Sequence, residues 1–192
     1  MTEPRSRNDL VALDAQGQRL TYLYFWGHQP LPSGQIGRPC LSQWWPSAFT
    51  IDGVTYRSSE HWMMAHKARL FEDEETAAKI ISAETPNAAK ALGREVRDFN
   101  EQIWSARRFD IVAEGSVAKF SQHPQLREYL LSTDQQVLVE ASPLDRVWGI
   151  GLAADDARAR QPSAWPGLNL LGFALMKARS VLSREPGRRY EQ

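Results

Sequence analysis

Glu60 and Lys67 stand in the run Ser59-Glu60-His61-Trp62-Met63-Met64-Ala65-His66-Lys67. Read as a helix, this spacing puts Glu60, Met64 and Lys67 at i, i+4 and i+7 on one face. A carboxyl and an amine placed this way can move a proton and hold or attack an electrophile. The plainer reading of Glu60 is a first-turn acid meeting the helix dipole. Company separates the two readings. The pair shares its face with apolar and aromatic neighbours, where an ionised pair is costly unless it performs a task.

Three further features stand out. Leu92-Gly93-Arg94 closes a helical pattern, where Arg94 either presents its guanidinium fork to a phosphate or meets the helix dipole as a last-turn cation. In Asp145-Arg146-Val147-Trp148-Gly149-Ile150-Gly151, Gly149 and Gly151 let backbone approach a ligand, while Asp145 and Trp148 supply an acceptor and a stacking face. The same segment also reads as a polar loop with one anchoring Trp. Asn169, ahead of Leu170-Leu171-Gly172, either caps a helix or contacts a ligand.

Standard signatures are missing: there is no Walker loop, GxGxxG, GxSxG or HExxH. The four histidines are scattered, and His61 and His66, five apart, do not share a helix face. The single cysteine, Cys40, rules out an internal disulfide and a cysteine-rich zinc site, and no Cys–His signature activates it. No metal and no cofactor are expected.

The elements that must carry these residues follow from pattern. Apolar residues 10–13, a turn at Gly17 and residues 20–26 read as strand, turn and strand. Residues 27–39, with three Gly and three Pro, form a loop long enough to suggest a functional role. Asp52-Gly53 marks a hairpin between residues 48–51 and 54–56. Helices are predicted from Ser58 or Ser59 to Phe71, over 74–83 behind an Asp73 cap, over 87–92 opened by Thr85-Pro86, from Asn100 through Phe120, over 125–131, and over 168–182. Residues 137–141 read as a strand. The fold class is α+β: a single compact, mostly helical domain with a few short strands, spanning 10–183. Residues 1–9 are expected as a flexible leader and 184–192 as a flexible tail.

Composition limits the function. At 192 residues, 42% hydrophobic and 24% charged, the chain fits one globular core. Basic and acidic residues balance at 23 each, so any phosphate must be bound locally rather than through a general positive field. Seven Trp exceed ordinary usage; most are assigned to core packing, the remainder to stacking on planar ligands. No apolar run approaches the roughly 20 residues that span a bilayer, so no membrane partner is expected and a cytoplasmic location is the default.

The run from Asp52 through Ser59-Glu60-His61-Trp62, His66-Lys67-Ala68 and Leu70-Phe71 resembles the signature of the NADAR (NAD and ADP-ribose) family. Ala91-Leu92-Gly93-Arg94, the Trp104 helix, Lys119-Phe120, His123-Pro124, Leu126, Trp148-Gly149-Ile150-Gly151 and Asn169-Leu170-Leu171-Gly172 match its later blocks in order. The match covers about residues 24–182. One departure is Ser42-Gln43-Trp44, where many members read Ser-Asn-Phe, so a contact made by that Asn is not carried over.

The resemblance implies N-glycosidase activity on ribose-linked substrates, such as early riboflavin-pathway intermediates or ADP-ribose attached to guanine in nucleic acid. Cleaving a C1′–N bond builds positive charge on the ribose and negative charge on the departing amine. Glu60 then shuttles protons, Lys67 attacks an opened C1′ or contacts phosphate and hydroxyls, and Asp145 is the second acid. Trp104 and Trp148 would stack on the base and Arg94 would neutralise phosphate. Tyr24, Phe25, Gly149, Gly151 and Asn169 complete the expected substrate-binding set. The expected partner is a small phosphoribosyl or ADP-ribosyl molecule, with ADP-ribosylated DNA or RNA as the alternative. Two other classes remain open: a module that binds ADP-ribose or NAD without turnover, and a structural protein whose tryptophans are only core.

Overall fold

A computed structural model describes residues 4–184 of the chain. Its central element is a helix buried on nearly every side. This is α2 (Ser59–Leu70), in which every residue from Ser59 to Ala65 is buried. Around it pack α3 (Glu74–Ser82), α4 (Pro86–Leu92) and α5 (Glu101–Gln122), with the antiparallel hairpin β2 (Phe49–Ile51) and β3 (Val54–Tyr56) nearby. The second layer consists of α6 (Pro124–Ser132), α7 (Leu170–Arg184) and a two-stranded parallel pair, β1 (Tyr22–Phe25) with β4 (Val137–Glu140). This α+β domain matches the class expected from the pattern.

Local chemistry fixes these elements. Asp73 accepts the Thr76 N–H and Thr85 the Ala88 N–H, capping α3 and α4 as predicted. Asn100 caps α5 by accepting the N–H groups of Gln102 and Ile103. Ser58 occupies the cap position of α2, but its hydroxyl turns to His61 Nδ1 at 2.8 Å. The His61 Nε2 donates to the Ala83 carbonyl at 3.1 Å, so Nδ1 accepts from Ser58 and the buried ring stays neutral. Burial also lowers the His61 pKa.

The α2–α5 contact depends on Gly115. A Cβ there would lie 2.3 Å from Cδ1 of Trp62, whose indole N–H donates to the Ile111 carbonyl at 2.7 Å. Trp62 is core, with Tyr56 edge-on at 5.0 Å and the His66 ring at 3.5 Å. Trp165 is also core.

The strand expected at residues 10–13 is instead helix α1 (Arg7–Ala15), capped by the Ser6 hydroxyl on the Asp9 N–H. A four-residue apolar run carries no period of its own, and the Ser6 cap decides the outcome. Only Leu10 is fully buried, while Val11 and Leu13 are half-buried. Residues 7–9, expected within a flexible leader, belong to this helix. Arg184 ends α7, and residues 185–192 of the expected tail lie outside the described residues. β1 therefore has no hairpin partner beside it and pairs with the distant β4, Phe25 opposite Glu140. Among the described residues, no helix is long and apolar enough to cross a membrane.

Candidate active site

The face of α2 that carries Glu60, Met64 and Lys67 opens into a cavity of about 440 Å³, together with residues of α4, α5, the end of β4 and the loop at Asp145. That volume suits a nucleotide-sized ligand.

Glu60 lines this cavity while only 2% exposed, with Oε1 lacking any hydrogen-bond partner. Its backbone N–H donates to the Gln43 carbonyl at 3.0 Å, which ties the helix start to the segment Ser42-Gln43-Trp44. Burial pushes the Glu60 carboxyl up to about 7, with Asp145 adding to the rise. Lys90, hydrogen bonding to Trp44 and Arg94 oppose it. A carboxyl in that range can take or give a proton near neutral pH.

Lys67, one turn beyond Met64, is half-buried. Its Nζ donates to the Gly93 carbonyl at 2.6 Å and lies 4.1 Å from the centre of the Phe99 ring. Burial lowers its pKa, while Glu101 pulls it back up. Gly93 explains why a glycine closes α4: a Cβ would sit 2.2 Å from Met64 Sδ. The close approach delivers its carbonyl to Lys67.

Arg94 follows, exposed on the rim, with no hydrogen bond or ion pair to its guanidinium among the described residues. Trp104, 7% exposed, and Trp148, half-buried, line the same cavity. Asp145 faces it too, while its Oδ1 accepts the N–H groups of Val147 (2.8 Å) and Trp148 (2.7 Å). The structure thus brings Glu60, Lys67, Arg94, Trp104, Asp145 and Trp148 together.

Five expected binding residues are not among those lining the cavity. Phe25 is core, and the Tyr24 hydroxyl donates to the Ala159 carbonyl at 3.1 Å. β1 serves the site only by pairing with β4. Asn169 is fully buried at φ 56°. Its Nδ2 donates to Leu138 O and its Oδ1 accepts the Glu140 N–H, both at 2.9 Å. An Asn side chain carries the same donor and acceptor as a peptide unit, so it completes the free edge of β4 instead of reaching a ligand. Gly149 is packed, not open: a Cβ would lie 2.8 Å from the Glu140 carbonyl. Gly151, at φ 71°, turns the chain against Pro166. The loop of residues 27–39 is not among the residues lining the cavity, although the His28 ring lies 5.5 Å from that of Trp44, which does line it.

Sequence reasoning missed Glu140, Lys90 and Arg108 and left Gln43 and Trp44 without a role; all five line the cavity. Glu140 had one signal, a charged residue ending an otherwise apolar strand. Behind Trp44, Lys119 is fully buried and donates to the carbonyls of Cys40 (2.6 Å) and Ser42 (3.0 Å); burial pushes it down to about 7. Cys40 is buried and its thiol pushed up to about 11, which keeps it from acting as a thiolate. No three His, Cys, Asp or Glu among the described residues group as metal ligands.

Fold and cavity together define a class: an α+β domain whose buried acid and lysine share a nucleotide-sized, tryptophan-lined cleft. The NADAR domain model matches residues 24–183, and the chain belongs to that family. Among its relatives, N-glycosidase R617 of Acanthamoeba polyphaga mimivirus is 45% identical over 163 residues, covering 82% of this chain and 94% of the viral protein. N-glycosidase YbiA of Escherichia coli is 32% identical over 141 residues, 73% of this chain and 78% of YbiA. The NMR structure of YbiA shares the fold at TM-score 0.65 and 24% identity, over 90% of this chain and 94% of that one. Riboflavin biosynthesis protein PYRR of Zea mays is 35% identical over 139 residues, 68% of this chain but 20% of the maize protein.

Proposed function

We propose that the chain is an N-glycosyl hydrolase that cleaves the C1′–N bond between a ribose phosphate and a base-like amine, as in early riboflavin-pathway intermediates. The observation that carries this reading is Glu60, a buried carboxyl lining a ligand-sized cavity with an unpartnered oxygen and a pKa raised to about 7. The relatives' N-glycosidase names agree with it, and the maize relative's name points toward riboflavin intermediates. Trp104 and Trp148 provide aromatic walls for the base, Arg94 at the rim meets phosphate, and Asp145 holds ribose hydroxyls.

Lys67 separates two routes. The contact with Gly93 O and the Phe99 ring holds an ammonium, which favours a phosphate or hydroxyl contact while Glu60 activates water. The lowering of its pKa by burial favours an amine that attacks an opened C1′ as an imine former. Borohydride trapping during turnover, read by intact mass, decides: an adduct on Lys67 establishes the imine, and its absence leaves the water route.

The substrate assignment is tested with a panel of riboflavin-pathway phosphoribosylamines, ADP-ribosylated guanine in DNA and RNA, NAD and ADP-ribose, with release of free base measured. Release from the phosphoribosylamines is expected. Release only from modified guanine moves the function to nucleic-acid repair, and ligand binding without release makes the chain a binding module.

A further inference from the structure

Two blocks that look like ligand loops in the sequence converge on the backbone of Glu140. Asn169 Oδ1 accepts its N–H at 2.9 Å, and its carbonyl accepts the Ile150 N–H at 2.9 Å. Gly149 leaves room for that carbonyl, and Gly172 packs where a Cβ would lie 2.0 Å from the Leu138 carbonyl and 2.5 Å from Asn169 Nδ2. β1 fixes the other edge, with the Ala141 N–H on the Phe25 carbonyl at 2.9 Å. A strand end held on both sides aims one side chain. That side chain lines the same cavity as Glu60, with Oε2 buried and unpartnered. A carboxyl kept only for structure would have a donor on that oxygen, because a buried acceptor without one bears its full desolvation penalty.

We propose that Glu140 is a second catalytic residue, the acid that protonates the departing nitrogen while Glu60 takes the proton of the attacking water. This rests on the N-glycosidase reading above. In the water route the C1′–N bond breaks, and the nitrogen keeps the electron pair and receives the Glu140 proton. C1′ gains the oxygen of water, whose proton passes to Glu60. Exchange with solvent then returns Glu60 to its carboxylate and Glu140 to its acid, so the net reaction consumes one water. In the imine route the leaving nitrogen needs the same proton.

The groups facing this pair favour that order. Burial, then Asp145 of the loop and Glu60 of α2, push Glu140 up to about 8, against Lys90 of α4. Glu60 lies lower, at about 7, with Lys90 and Arg94 assisting its ionisation. Two carboxyls that repel each other seldom ionise together, and Glu140, which lacks the hydrogen bond from Trp44 that favours the Glu60 carboxylate, is the one that keeps the proton.

The test uses Glu140→Gln, which keeps shape and removes the proton, on phosphoribosylated anilines of graded basicity across pH 5–9.5. Wild type should show a bell, rising through about 7 and falling through about 8. The variant should lose about 10²–10⁴-fold in kcat on the most basic amine with KM nearly unchanged, lose the alkaline limb, and recover rate as the leaving amine becomes less basic. A variant no less stable than wild type in urea denaturation has no folding defect. A variant with undiminished kcat, or one whose loss ignores leaving-group basicity, overturns the role of Glu140 alone. Wild type that releases no amine from any member overturns the N-glycosidase reading as well.

Discussion

Glu60 and Trp148 are where single side chains decide the outcome. Glu60→Gln retains size and hydrogen bonding but cannot exchange a proton. Turnover should fall about 10²–10⁴-fold while ligand binding changes little and no stability is lost. Steady-state kinetics beside ligand titration checks this, and full activity would reduce Glu60 to a helix-terminus charge. Trp148 is half-buried between the cavity and the core, its N–H held by Asp145. Trp148→Ala should weaken base binding by about 1–3 kcal/mol, the scale of aromatic stacking on a nucleobase, and cost less in folding. If Trp148 were chiefly core, truncation would instead cost about 3–5 kcal/mol of stability with affinity unchanged in the folded fraction. Denaturation and affinity measured on one variant separate the two.

At the scale of elements, the position of α2 controls the site, since Glu60 and Lys67 both ride on it. Its packing on α5 passes through Gly115 and Trp62. In an isolated helix Ala would be favoured over Gly by about 1 kcal/mol. Here the new methyl meets an indole already fixed by the Ile111 carbonyl, so overpacking outweighs propensity. Gly115→Ala should therefore destabilise the chain by about 1–2 kcal/mol, read from urea denaturation. A stabilised variant would mean that the two helices separate freely at this contact. The end of β4 that carries Glu140 is held differently, by Asn169 bridging its free edge and by the turn at Gly149.

The whole molecule registers the acids as a pH dependence of stability. Glu60 and Glu140 are harder to ionise when folded, at about 7 and about 8, than in an unfolded chain near about 4. The folded state therefore holds more protons between those limits. The stability they contribute is complete below about pH 4 and is lost as pH rises through about 7 and about 8. Glu140→Gln removes one ionisation, so the variant should lose less stability than wild type between pH 5 and pH 9. Urea midpoints at both pH values measure it; equal losses would place the Glu140 carboxyl in contact with water.

The sequence by itself determined the helices and one face of the site. Glu60 and Lys67 were legible because both lie on one helix, whose period brings them together without any tertiary information. Asp73, Thr85 and Asn100 marked helix starts through side-chain chemistry that acts within three residues. Arg94, Asp145 and Trp148 stood out by residue type and Trp104 through a family block, and their convergence required the fold. What the tertiary structure alone decided is non-local. The helix at residues 7–15 is the exception, since the apolar run at 10–13 fits either period and the Ser6 cap that settles it is local. β1 found a parallel partner more than a hundred residues away, which no local pattern encodes. Asn169, Gly149 and Gly151 read as ligand contacts because Gly and Asn suit both binding loops and tight packing. Only the fold shows that Asn169 and Gly149 serve the backbone of Glu140 and that Gly151 turns the chain against Pro166. Glu140 itself stood hidden at the end of an apolar strand, since burial and the approach of Glu60 and Asp145 exist only after the chain has closed around them.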